Sequence, residues 1–75
     1  DLSQLRQQID TIDRQIVNLY EERMDVSRQV AEYKIEREKV FDKQREQEKI
    51  AGVKALTHND FNSHGVEELF EQIMS

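Results

Sequence analysis

Apolar residues recur along the first half of the chain in steps of three and four: Leu2, Leu5, Ile9, Ile12, Ile16, Leu19, then Arg23, then Val26, Val30 and Tyr33. This heptad rhythm predicts one long amphipathic helix whose apolar seam has to be covered by another helix. Residues 3 to 36 contain no proline or glycine, and their Glu, Gln, Arg, Lys and Leu favour helix. Arg23 occupies a seam position where an aliphatic side chain is expected. A guanidinium there is strained, solvent-exposed or facing an anion inside the assembly, because burying it alone costs on the order of several kcal/mol, and setting register is its structural use.

The rhythm breaks between Glu36 and Asp42, where Val40 and Phe41 interrupt a charged run and Asp42 offers a capping side chain. A connection at 37–42 and a second helix at 43–56 are expected, with Ile50, Val53 and Leu56 as a thin apolar stripe beside Ala51. Residues 57–65 read as a turn held by Phe61, with Ser63 or His64 preceding a third helix. That helix shows clear periodicity in Val66, Leu69, Phe70, Ile73 and Met74. The expected fold is all-α, with one long and two short helices in a single domain over residues 1–75. The balanced Glu/Arg/Lys run from Glu32 to Lys49 fits a solvated helix face better than disorder.

A first helix of roughly 35 residues is about 50 Å long, more than the width of a compact globule of this chain length. One chain cannot wrap it, so a homodimer is expected, most simply two-fold. The apparent charge of −5, from 16 acidic and 11 basic residues, argues against a nucleic-acid partner. No cysteine is present, so neither a disulfide framework nor a thiolate metal site is available. His58 and His64 lie in a polar stretch without a carboxylate–histidine cluster at ligand spacing, which favours surface or capping roles over a metal site. No apolar run of 18 residues and no signal peptide occur, so no membrane association is expected and a cytoplasmic setting is the default. The absence of an initiating Met, and a third-helix pattern still running at Ser75, lead us to expect a piece of a longer chain with its C-terminal helix incomplete.

Several polar residues are candidates for chemistry. Arg6 and Lys34 share one heptad flank with Asp13, Tyr20 and Ser27, but along one helix they are about 42 Å apart. Antiparallel pairing of two long helices would bring Arg6 of one chain towards the Arg23–Lys34 half of its mate, giving two equivalent basic pockets. Asp42, Arg45 and Glu46 form a second polar group, and short connections would let the second helix fold it back towards Arg23 and Lys34. As ordinary surface chemistry, Asp42 is a cap, Glu46 profits from the helix dipole, and Arg6 and Lys34 pair with glutamates across a seam. The inventory holds no nucleophile–base pair, metal set or phosphate loop. It suits a small polyanion, either simply bound or rearranged through positioning and electrostatics.

Five segments carry a resemblance. They are Leu5-Arg6-Gln7-Gln8-Ile9-Asp10-Thr11-Ile12-Asp13, Leu19-Tyr20-Glu21-Glu22-Arg23, Val30-Ala31-Glu32-Tyr33-Lys34, Val40-Phe41-Asp42-Lys43-Gln44-Arg45-Glu46 and Val66-Glu67-Glu68-Leu69-Phe70-Glu71-Gln72-Ile73-Met74. Together they resemble the all-helical chorismate mutase family over nearly the whole chain. The resemblance implies a three-helix protomer entwined in a helical homodimer with two active sites. It implies that Arg23, with Arg6 of the partner subunit, holds the two substrate carboxylates, and that Lys34 donates to the ether oxygen of the breaking bond. Glu46, with the backbone around Asp42, would hold the ring hydroxyl, and Arg45 would order that corner. The implied reaction is the Claisen rearrangement of chorismate to prephenate, with no cofactor and no covalent intermediate.

Family members carry a Ser and then a Gln further along the third helix, the Gln being a second donor to the ether oxygen, and this sequence stops before both. Losing such a donor typically costs about 10²- to 10³-fold in rate, so reduced turnover is expected of the chain as it stands. The connection between the second and third helices is about one residue shorter than the family leads one to expect. Covalent fusion to another aromatic-biosynthesis domain is a further expected partnership. Two other readings stand beside the mutase: an isochorismate pyruvate-lyase on the same scaffold, and a non-catalytic helical dimerisation module in which Arg23 sets register.

Overall fold

The computed structural model describes residues 1–37 and 43–75, with the side chains of 34–37 and 44 set aside. Three helices make up the architecture: α1 (Leu2–Arg37), α2 (Lys43–Ala55) and α3 (Asp60–Met74). The three-helix all-α fold expected from the sequence is therefore present. The expected connection at 37–42, with Val40, Phe41 and the Asp42 cap, lies outside the described residues apart from Arg37, which is the last residue of α1. The chain divides into two compact units, residues 1–39 and 40–75.

The first unit is α1. Asp1 starts it by accepting the backbone N–H of Gln4 on its Oδ1 at 2.9 Å, while its carbonyl accepts the N–H of Leu5 at 3.1 Å. This cap satisfies donors that have no partner within the helix. On the polar face Arg28 reaches back to Asp25 at 2.9 Å and forward to Glu32 at 2.7 Å, and the Gln29 amide donates to Asp25 at 3.1 Å. These pairs are exposed, so each contributes only about 0.3–0.5 kcal/mol. The apolar seam lies open: Leu2, Leu5, Ile9, Ile12, Ile16, Leu19, Val26, Val30 and Tyr33 are each between 48% and 63% exposed. An apolar stripe this long and continuous marks an interaction surface.

The second unit is a helical hairpin in which α2 packs on α3. Val53 is the buried apolar residue among the described ones, at 9% exposure. Ile50 from α2 and Val66, Phe70, Ile73 and Met74 from α3 are half-buried around it. Leu56, expected on the apolar stripe of the second helix, is instead 76% exposed. It falls just past the end of α2, where the chain tightens: Leu56 N–H donates to Val53 O and Thr57 N–H to Lys54 O, both at 3.1 Å. The Thr57 hydroxyl adds a 2.7 Å bond to the same Lys54 carbonyl.

The start of α3 differs from expectation. Its N-cap is Asn59, not Ser63 or His64. Asn59 is extended, with φ −157° and ψ 161°, and its Oδ1 accepts the Asn62 N–H at 2.7 Å. Asp60 follows in the first turn, where its charge suits the positive end of the helix dipole. The segment 60–65 is therefore helix rather than turn. Phe61 does not pin it down, since on the outer side of that first turn it is 87% exposed. His64 takes a surface role, its Nε2 lying 2.7 Å from Glu68 one turn on.

Candidate functional site

α1 carries three of the cationic candidates. Arg6 lies near its start and is exposed, whereas Arg23 is half-buried, as is Ser27 one turn further on. Among the described side chains of α1 these two are the ones withdrawn from solvent, and the aliphatic seam residues on either side are not. Lys34 belongs to the backbone of α1, and its side chain lies outside the described residues. Eleven residues make just over three whole turns, so Arg23 and Lys34 stand on one face of α1 with a rise of about 16 Å between them. Arg6 and Arg23 are separated by about 25 Å along the same helix, so one α1 cannot apply both to one small anion.

The second polar group sits at the start of α2. Glu46 falls in the first turn, where the unsatisfied N–H groups and the helix dipole favour a carboxylate. Arg45 beside it is exposed, while Glu46 is half-buried. Asp42 lies outside the described residues. Glu46 lines a groove of about 700 Å³ between α2 and α3, with Gln47, Ile50 and Lys54 on the α2 side and Glu67, Glu71 and Met74 on the α3 side. Its lining mixes the apolar Ile50, Ala51 and Met74 with the charged Lys43, Glu46, Lys54, Glu67 and Glu71.

Within that groove the Lys54 Nζ lies 3.3 Å from Glu67 Oε1, joining the two helices. Periodicity does not reveal this pair, because its members are 13 positions apart on separate helices. The sequence signal available was only the placement of Lys54 in the last turn of one helix and Glu67 on the next. Among the described residues no cluster of three His, Asp or Glu side chains could hold a metal ion. Nor is any helix there long and apolar enough to cross a membrane.

Each unit carries its own polar group: α1 has cations of the kind that hold carboxylates, and α2 has a carboxylate in its first turn. The family model for chorismate mutase type II matches residues 5–75, and the chain belongs to that family. Neither a curated protein nor a solved structure gave a match. Family membership makes this an isomerase-type chain with a small-molecule substrate, on an all-helical scaffold.

Proposed function

We propose that the chain is a chorismate mutase that works as a homodimer, converting chorismate to prephenate by an intramolecular Claisen rearrangement. In this reading Arg23 and Arg6 of the partner subunit each hold one substrate carboxylate. Lys34 donates to the ether oxygen, where negative charge grows as the C–O bond breaks. Glu46, with the backbone around Asp42, holds the ring hydroxyl, and Arg45 orders that corner. The bond that breaks and the carbon–carbon bond that forms lie in one molecule, so no proton, electron or cofactor has to be supplied. Catalysis then consists of holding the folded, reactive conformer and stabilising charge on the ether oxygen.

The observation that carries the reading is Arg23, half-buried within a seam whose aliphatic members are exposed. A helix partner that covers those aliphatic residues would remove Arg23 further from water, where a guanidinium gains most from an anion beside it. A substrate carboxylate is such an anion. The separation of Arg6 from Arg23 along α1 is the reason for drawing Arg6 from the second copy.

Titration of the protein with a bicyclic dicarboxylate that mimics the transition state, followed by calorimetry, tests this reading. One mimic bound per chain, with binding lost in Arg23→Ala, is the expected result. No heat of binding, with the dimer intact by sedimentation, would assign the chain to a non-catalytic dimerisation role.

A further inference from the structure

α2 is a polar helix with few means of fixing its own position. Six of its residues are charged (Lys43, Arg45, Glu46, Glu48, Lys49 and Lys54), and its branched aliphatic residues are Ile50 and Val53 alone. Apolar interdigitation of so thin a stripe sets neither the rotation nor the longitudinal register of a helix tightly. Yet α2 holds Glu46 against α3 across a defined groove.

The Lys54–Glu67 pair supplies a constraint that joins the two helices directly. Both side chains are about one-third exposed, at 36% and 33%, which places the 3.3 Å contact at the groove edge rather than in open solvent. Glu46, Ile50 and Lys54 are spaced four apart and line the same groove, so they form one stripe of α2. The helix between them is continuous, and a shift at Lys54 is carried to Glu46, about 12 Å away, as a rigid movement. Charge adds to this. Glu46, Glu67 and Glu71 all line the groove, with Lys43 and Lys54 as the cations among them. Removing Lys54 leaves three carboxylates against one cation across the two helices, which loosens the seat of α2.

We propose that Lys54 and Glu67 form a positioning clamp that fixes the register of α2 on α3 and, through α2, the place of the Glu46 carboxylate. Its consequence for ligand binding rests on the reading of Glu46 as the hydroxyl-binding group, but the clamp itself does not.

The test compares Lys54→Met, Glu67→Gln and the exchanged double variant Lys54→Glu/Glu67→Lys with the parent protein. The readouts are the carbon-13 shift of the Glu46 carboxyl, the melting temperature and the affinity for the bicyclic dicarboxylate. The clamp predicts that both single changes move the Glu46 signal and weaken the mimic by about 3- to 10-fold, Lys54→Met more than Glu67→Gln. The exchanged variant returns both towards the parent. A merely stabilising pair would lower the melting temperature and leave the Glu46 signal in place, and that result overturns the proposal. A signal that moves and is not restored by the exchange also overturns it. Should Lys54→Met fail to fold, the isosteric Glu67→Gln and the exchanged variant decide the matter. A parent that binds no mimic would remove the assignment of Glu46, while its carboxyl signal still decides the clamp.

Discussion

Asn59 Oδ1 accepts the backbone N–H of Asn62 at 2.7 Å, and this bond sets where α3 begins. Removing the oxygen leaves an N–H of the first turn without its partner. Asn59→Ala is expected to cost about 1 kcal/mol, lowering the melting temperature by roughly 4–8 °C at fixed protein concentration. Asn59→Asp and Asn59→Ser, which keep an acceptor, should stay close to the parent. Thermal unfolding followed by circular dichroism checks all three.

Val53 is the buried centre of the α2–α3 hairpin. Val53→Ala removes two methyl groups and is expected to destabilise the fold by about 2 kcal/mol. The same truncation at the exposed Leu56 should change stability by less than about 0.5 kcal/mol. Urea unfolding of the two variants distinguishes the positions.

Replacing a charge in an apolar seam by a hydrocarbon removes a desolvation cost. Arg23→Leu is therefore expected to unfold no earlier than the parent while losing at least about 10²-fold in affinity for the dicarboxylate mimic. Arg23→Lys should recover only part of that affinity, because an ammonium cannot make the paired bonds of a guanidinium. A melting curve and a calorimetric titration on the same samples read both effects.

A change aimed at the ether oxygen should act on rate more than on binding. Lys34→Ala is expected to lower kcat by about 10²- to 10³-fold with a smaller change in KM, as for a donor whose bond strengthens in the transition state. Steady-state kinetics on chorismate measure the split.

The exposed seam of α1 should be where two copies meet. Ile12→Asp together with Ile16→Asp places two carboxylates on that stripe and is expected to shift the protein from dimer to monomer by sedimentation equilibrium.

The long helix was legible because its apolar positions keep one period from Leu2 to Tyr33 with nothing to end it. The hairpin was legible in outline from Ile50, Val53, Val66, Phe70 and Ile73. Its details were not. Asn59, Asp60, Asn62 and Gly65 have turn-forming chemistry, yet the structure makes Asn59 a cap and continues the helix through Gly65. A glycine inside a helix costs up to about 1 kcal/mol, an amount of the same size as a good N-cap contributes. Phe61 was expected to hold the turn and Leu56 to extend the stripe of the second helix, because both are apolar, but they flank the cap and are exposed. Of the candidate residues, the placement of Glu46 in the first turn of α2 and of Arg23 as a break in the α1 stripe was legible. The Lys54–Glu67 pair was not, because a contact between helices leaves no local spacing to read.

The most direct test of the central claim is to incubate the protein with chorismate, follow its loss optically and identify the product by chromatography, with Arg23→Ala alongside. The account predicts prephenate from the parent and a rate at least about 10²-fold lower from the variant. Unchanged chorismate, or equal rates from the two proteins, would contradict it.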